Sequence, residues 1–327
     1  EYVDKDYGTG CLKITPAHDP NDFQIGQRHG LAQLNVMNED GTIGDAAPAK
    51  YHGLDRFVCR ARVVEELRGL GLLERVEEHM VPVGRAQRSK AVIEYRLSDQ
   101  WFLRMQPLAK EALEVSERMG LRMYPERWEA IFRDWLVRTR DWCISRQIWW
   151  GHRIPAWYHL HSGKILVDVD TPPAVQAVPH EWRQDEDVLD TWFSSALWPY
   201  STLGWPEETS DLKRYYPTSL LITAKDIIYF WVARMVMTGV HFMGSVPFRQ
   251  VYFNPVICDA NGETMSKSKG NGIDPLHVIA GASAQELEEP VLEARPANMQ
   301  EILDRLRKSF PQGFRAAGAD ALRLTLL

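Results

Sequence analysis

Residues 216–239 read YPTSLLITAKDIIYFWVARMVMTG. Ser219 to Thr223 has the composition of a short buried strand. Ala224 to Asp226 reads as a tight turn, and Ile227 to Thr238 as an apolar helix. Strand, short turn, helix is the unit of a doubly wound sheet, and ligands bind such sheets beyond the carboxyl ends of the strands. A second strand is predicted over Gln250 to Cys258, then the turn Asp259-Ala260-Asn261-Gly262 and a polar loop. The predicted fold class is therefore α/β.

Away from this unit the texture changes. Residues 1–80 mix short strand-like runs, glycine turns and one clear helix. That helix is Asp55 to Gly69, with Phe57, Ala61, Val64 and Leu67 on one face and Gly71 as its stop signal. Residues 81–100, VPVGRAQRSKAVIEYRLSDQ, are basic and strand-prone, and they read as connecting strands between domains. From Trp101 onward tryptophans become dense and long helical patterns appear. One runs from Leu108 to Met119; another begins near Pro125 and carries Trp128, Phe132 and Trp135. The tail 281–310 is charged at helical spacing, as a solvated helical insertion would be. The organisation is thus 1–80, 81–100, 101–258 and 259–327.

The hydrophobic share of 45 % and charged share of 25 % are those of a soluble globular protein. A net charge of −6 excludes a broad basic surface for nucleic acid, so any RNA contact must be local or lie elsewhere. Cys11, Cys59, Cys143 and Cys258 are scattered, with no zinc-site spacing. They point to a reducing, cytoplasmic setting and to no protein-bound metal. The longest apolar stretch, Ile227 to Met243, contains Arg234 and His241 and reads as a buried core helix rather than a bilayer span. The chain opens on Glu1 in mid-domain text and closes inside an apolar periodic run, so it reads as an internal fragment.

Four strings carry chemistry. Residues 264–271, TMSKSKGN, alternate serine and lysine. By composition this is a solvated turn. It is also a cationic loop in which Lys267 and Lys269 can neutralise polyphosphate while Ser266 and Ser268 donate hydrogen bonds, stabilising charge on a departing pyrophosphate. It is not a P-loop, because the GxxxxGK[ST] spacing is absent. Residues 144–158, ISRQIWWGHRIPAWY, interleave aromatic and basic residues, which fits either a core cluster or base stacking on RNA. Asp226 fits either a helix N-cap or a carboxylate presented at a strand's carboxyl end. Residues 8–30, GTGCLKITPAHDPNDFQIGQRHG, contain a helix start, with Asp19 as cap, proline next and Asp22 in the first turn. A helix start can also present a carboxylate to a ligand.

Taken together, these strings resemble the valyl-tRNA synthetases, a family of class I aminoacyl-tRNA synthetases. MSKSKGN resembles their KMSKS signature, with Thr264 in place of the first lysine. WWGHRIPAWY and DEDVLDTWFSSALWP (185–199) resemble the walls of their amino-acid pocket. The turn at Asp226 resembles their Gly-x-Asp, with Ala224 in place of the glycine; Asn254 and Pro255 depart as well. PAHDPNDF resembles their editing domain. SDQWF (98–102), PERWE (125–129), RDWCISRQ (140–147), YPTS (216–219) and GADALR (318–323) extend the match in the family's order.

The resemblance implies the second half of a class I Rossmann-type catalytic domain over 101–258. The C-terminal part of a mixed α/β editing domain precedes it (1–80). A KMSKS-like loop and the start of the stem-contact and helical region follow (259–327). It implies that Lys267 is catalytic and that Asp226, Ser266, Lys267 and Ser268 bind ATP. Trp150 and Trp192 wall a slot for valine. Lys13, Thr15, Asp19 and Asp22 form an editing site, with Asp22 holding the α-amino group. The implied substrates are ATP with Mg²⁺, valine and tRNA(Val), with no membrane partner. No His-Ile-Gly-His-type string stands in the chain, so the isolated chain is expected not to aminoacylate. Two other readings stay open: a degenerate relative that binds tRNA or nucleotide without ligation, and a free-standing editing hydrolase. The oligomeric state is not legible.

Overall fold

Two aspartates start the two long helices of the first hundred residues. The Asp19 carboxylate accepts hydrogen bonds from the amides of Asn21 and Asp22 and caps helix α1, Pro20–His29. Asp55 accepts from Phe57 and Val58 and caps α2, Arg56–Gly69. Helix α2 ends as predicted, with Gly71 in the left-handed region that glycine tolerates. Its predicted apolar face is not its inward face. Phe57, Ala61 and Leu67 are exposed, only Val64 of that face is half-buried, and the other half-buried residues of the helix are Arg56, Cys59, Val63 and Glu66. Apolar residues are scattered around this helix, so the contacts of Tyr51 and Lys50 with Glu66, and of Arg56 with Glu94, decide which side turns inward.

The computed structural model describes residues 3–6, 9–86, 89–259, 262–265, 271–295 and 298–326. They divide into two compact units, Glu1–Gln100 and Trp101–Leu327. The segment 81–100, expected as connecting strands, forms no regular strand among the described residues. It makes one bridge, Arg85 with Val92, closed by Ile93 N to Gly84 O at 3.0 Å. Its β-prone residues have only each other across a turn to pair with, and an isolated two-stranded ribbon is marginal. The segment is part of the first unit, through His18 to the Tyr95 carbonyl and Arg56 to Glu94.

In the second unit, helix α3 (Met105–Met119) and helix α4 (Arg127–Val137) flank a short strand β1, Arg122–Tyr124. Strand β2, Thr218–Ala224, and strand β3, Phe248–Asn254, complete a parallel sheet in the order β1-β3-β2. Strand β3 stops at Asn254, not at Cys258 as predicted, because Pro255 has no amide hydrogen to continue the ladder. The chain between β2 and β3 is helical, as expected, but not uniform. A short tight turn, Lys225–Ile227, leads into a wide π-turn, Ile228–Ala233, and then helix α6, Arg234–Met243. Helix α5, Thr191–Ser201, packs on the π-turn through Trp231 Nε1 to the Ser195 carbonyl and on α6 through the Thr238 hydroxyl to the Ala196 carbonyl.

The core follows from periodicity. Met105, Ala109, Ala112 and Val115 of α3 lie three or four residues apart and are buried with Phe132, Leu136, Val232, Val236, Val240, Phe248 and Val251. One face of the sheet is covered: Met123, Leu221, Val251 and Phe253 belong to this core. The other face presents Tyr124, Leu220, Ile222 and Tyr252 as exposed side chains. The strand expected to be buried is therefore buried on alternate residues only, which is unusual for a parallel sheet.

A small antiparallel sheet, Ala156–His159 between Ile165–Val167 and Trp182–Gln184, stands beside these elements. It is tied down by Asp185, whose Oδ2 accepts from Trp101 Nε1 and Tyr158 Oη at 2.7 Å each. Burial pushes the Asp185 carboxyl up, but hydrogen bonds from Tyr158, Trp101 and the Asp187 amide outweigh it and leave it below its ordinary value. A depressed carboxyl stabilises the fold above its unfolded pKa, and that contribution is lost as pH falls through the folded value. Tyr158→Phe removes one donor and so raises the folded pKa. The variant is expected to lose more stability at pH 7 than at pH 3, with a shallower acid dependence than the parent. Urea unfolding followed by tryptophan fluorescence at the two pH values measures this. An equal loss at both would exclude the coupling.

The tail 281–310 is helical, as its charge pattern predicts. Helix α7, Ala284–Ala294, opens with a Ser283–Glu286 capping box, and helix α8, Met299–Ser309, returns beside it. Arg307 grips Glu288 through two hydrogen bonds of 2.9 and 2.8 Å. No helix among the described residues is long and apolar enough to cross a membrane.

Candidate functional site

Asp226 lies just beyond the carboxyl end of β2, in the tight turn Lys225–Ile227. Its side chain is exposed and caps no helix among the described residues. Its local reading as a helix cap is therefore not realised. Ala224 pairs in register with Asn254, so two of the four departures from the resembled text stand side by side at the carboxyl end of the sheet. The Asn254 amide is turned onto the Pro255 carbonyl at 3.1 Å.

The segments carrying Trp150 and Trp192 are interlocked. Ser145 and Arg146 pair with Leu189 and Val188 in antiparallel register. Leu189 N donates to the His152 carbonyl, Asp190 N to the Ile144 carbonyl, and Ile154 N to the Asp187 carbonyl. Gly151 makes this approach possible: its φ is +154°, and a Cβ there would lie 2.8 Å from a Val188 methyl. The two indoles nevertheless do not meet. Trp150 is 91 % exposed and has no ring contact with Trp192 among the described residues. Trp192 is half-buried and stacks on Phe230 at 5.8 Å and 26°. Phe230 follows Asp226 by four residues, in the π-turn that leaves the carboxyl end of β2.

Beneath Trp192 lies a charged cluster that sequence reasoning did not assign. Asp190 caps α5 through the Trp192 amide at 3.2 Å. Its other oxygen accepts from Trp142 Nε1 at 2.9 Å and Arg146 Nη2 at 2.7 Å. Arg234 lies 3.7 Å from the same oxygen and 3.6 Å above the Trp142 ring. Burial pushes its guanidinium below its ordinary value, opposed by Asp190 and Tyr229. A signal was present in the sequence: an arginine inside an apolar helix requires a buried partner.

The first unit brings its four candidates together. Lys13 Nζ donates to Thr15 Oγ1 at 3.3 Å, and the Thr15 amide and hydroxyl both donate to Asp22 Oδ2, at 2.7 and 3.2 Å. Asp19 caps the helix that presents Asp22. His18, not singled out in the sequence, clamps the same turn. Its Nε2 accepts from the Val36 amide at 3.0 Å, so its Nδ1 carries the proton donated to the Tyr95 carbonyl.

Ser266, Lys267 and Ser268 lie outside the described residues. The flanks of their loop are described. Thr264 bridges Cys258, and buried Asn271 donates to Asp259 Oδ2 at 2.9 Å and to the Thr264 carbonyl at 3.3 Å. A cleft lined by Leu113, Ser116, Arg122, Met123 and Phe132 lies at the amino end of β1, the end of the sheet remote from Asp226. No group of three or more His, Cys, Asp or Glu among the described residues is arranged to hold a metal ion.

The family model for class I tRNA synthetases (I, L, M and V) matches residues 13–327. The chain belongs to that family. It is 48 % identical over 337 residues to the valine–tRNA ligase of Legionella pneumophila (strain Paris), covering 99 % of this chain and 36 % of that protein. It is 53 % identical over 289 residues to that of Geobacillus stearothermophilus, covering 88 % and 32 %. The chain thus spans about a third of the length of the curated relatives it matches. Among solved structures it is similar to Mycobacterium tuberculosis methionyl-tRNA synthetase in complex with methionyl-adenylate. There the TM-score is 0.42 at 20 % identity, over 63 % of this chain and 35 % of that one.

Proposed function

We propose that this chain carries part of a valine–tRNA ligase. In this reading the intact protein activates valine with ATP, as its Mg²⁺ complex, and then esterifies it to tRNA(Val). Residues 101–258 belong to the second half of its Rossmann-type domain. Residues 1–80 belong to its editing domain. The observation that carries the reading is the stack of Trp192 on Phe230, in the π-turn that follows Asp226 after the carboxyl end of β2. There an indole face borders the place where such sheets bind ligands. Trp150, on the interlocked segment, is the proposed opposite wall. An indole left so exposed is the kind of apolar surface that a ligand or a further part of the protein covers.

Two indole walls make a narrow apolar slot that suits a branched aliphatic side chain. Such a slot rejects the hydroxyl of threonine only about 10²-fold, a figure known from valine-selecting synthetases themselves. A separate polar site that hydrolyses the threonyl ester removes the error. Lys13, Thr15 and Asp22 form the hydrogen-bonded set proposed for it. Valine gives that set no hydroxyl to bond. None of the ten histidines stands in a His-x-Gly-His string, and for the isolated 327-residue chain we propose no pyrophosphate exchange.

The test is ATP–pyrophosphate exchange by the intact protein, with release of threonine from threonyl-tRNA as its companion assay. Exchange is expected to require valine. Trp192→Ala is expected to raise the KM for valine about tenfold or more, the scale of discrimination an apolar pocket supplies. Binding of tRNA without valine-dependent exchange would instead make the protein a binding relative of the family.

A further inference from the structure

Arg234 opens helix α6 and is 5 % exposed. Its guanidinium carbon lies 3.6 Å above the Trp142 ring, 5.4 Å from the Tyr229 ring and 5.7 Å from the Phe230 ring. Asp190 is the carboxylate beside it, and Arg146 already holds that carboxylate at 2.7 Å. Two guanidinium groups therefore share one carboxylate. Arg234 Nε and Nη1 have no hydrogen-bond partner among the described residues. A buried cation with idle donors is costly, and an apolar side chain of similar volume would fill the same space more cheaply. Stability alone does not account for it.

What Arg234 touches suggests its role. Asp190 holds the backbone amide of Trp192, and Phe230 stacks on the Trp192 ring. Arg234 contacts both supports of that one indole: the carboxylate that anchors its backbone and the ring that faces its side chain. Trp142 ties the two together, donating to Asp190 while lying under the guanidinium. The wide π-turn over Ile228–Ala233 sets Phe230 and Arg234 on this side, and such turns recur at functional sites.

We propose that Arg234 is a positioning residue for Trp192, fixing the tilt of the indole and with it the width of the amino-acid slot. The inference rests on the reading of Trp192 as a pocket wall. Arg234 itself touches no substrate. It acts through Asp190 and Phe230, so its loss alters selection among amino acids more than turnover.

The experiment is valine-, alanine- and isoleucine-dependent ATP–pyrophosphate exchange by the intact protein, with Arg234→Met, Arg234→Lys, Trp192→Ala and the double variant W192A/R234M. Arg234→Met is expected to raise the valine KM and to lower discrimination against alanine or isoleucine, each about tenfold, with a much smaller change in kcat. Arg234→Lys, which keeps the cation but loses the planar stack, recovers part of the discrimination. In the W192A background, R234M is expected to add less than about twofold, because the two act through one indole. Equal loss for all three amino acids, or full additivity with W192A, overturns the proposal while leaving the pocket reading intact. An unchanged valine KM in W192A overturns the pocket reading itself, and the proposal with it. Should Arg234→Met fail to fold, Arg146→Met withdraws a donor from Asp190 at a side chain 37 % exposed. It is expected to relax discrimination in the same direction by a smaller factor; undiminished discrimination there overturns the proposal.

Discussion

Phe248→Ala is expected to remove about 3–5 kcal/mol from the stability of the second unit, the range for deleting a buried aromatic ring. Phe248 is 1 % exposed at the start of β3 and lies in the same core as Met123, Val232, Val236 and Val251. Strand β3 is the middle strand, paired on both sides, so its backbone cannot shift to fill the void. Whole domains are stable by only about 5–15 kcal/mol, so the loss is a large share of the total. The measurement is urea unfolding followed by tryptophan fluorescence. All twelve tryptophans lie at or after Trp101, so the signal reports the second unit alone. Leu324→Ala is the control. Leu324 is 74 % exposed, and its loss is expected to stay within about 0.5 kcal/mol. A Phe248→Ala midpoint equal to the control's would mean the core is not where it is placed.

Lys267→Ala is expected to lower kcat for valine-dependent exchange by the intact protein about 10²–10³-fold, the usual cost of removing one preorganised group that meets developing charge. The prediction follows from the proposed function, and the described residues show only the flanks of the loop. The carbonyl of Thr264 and the carboxylate of Asp259 are both held by the Asn271 amide, which joins the two ends of the signature loop. Strand β3, which feeds the loop, ends opposite Ala224, two residues before Asp226. Under the proposed function, the ammonium of Lys267 is expected to serve the phosphates of a nucleotide whose ribose is held by Asp226. The first lysine of the signature is Thr264 here, which leaves Lys269 as the other lysine of the loop. The urea transition of the variant is expected to match that of the parent. A fall in exchange of less than about tenfold would remove Lys267 from the chemistry.

Local signals in the chain were reliable where neighbouring residues settle the outcome. Asp19 followed by proline predicted a cap, and Asp19 caps α1. The strand–turn–helix text at 216–239 predicted β2 and the helix after it. Signals failed where distant groups decide. The inward side of α2 is set by Glu66 and Glu94 with their partners, not by its scattered apolar residues. The three residues of β1 are too few to show alternation, and their place beside β3 depends on a pairing 128 residues away, Arg122 with Gln250.

Sequence by itself determined the α/β class, the family strings and the polar inventory of both candidate sites, because caps, turns and signature loops are written in adjacent residues. Only the tertiary structure decided that Trp192 faces Phe230 while Trp150 stands exposed, and that Trp142, Arg146 and Arg234 converge on the buried carboxylate of Asp190. The physical reason is separation along the chain. A buried charge takes whatever partner folding brings within a few ångströms, and no local pattern records which partner that will be.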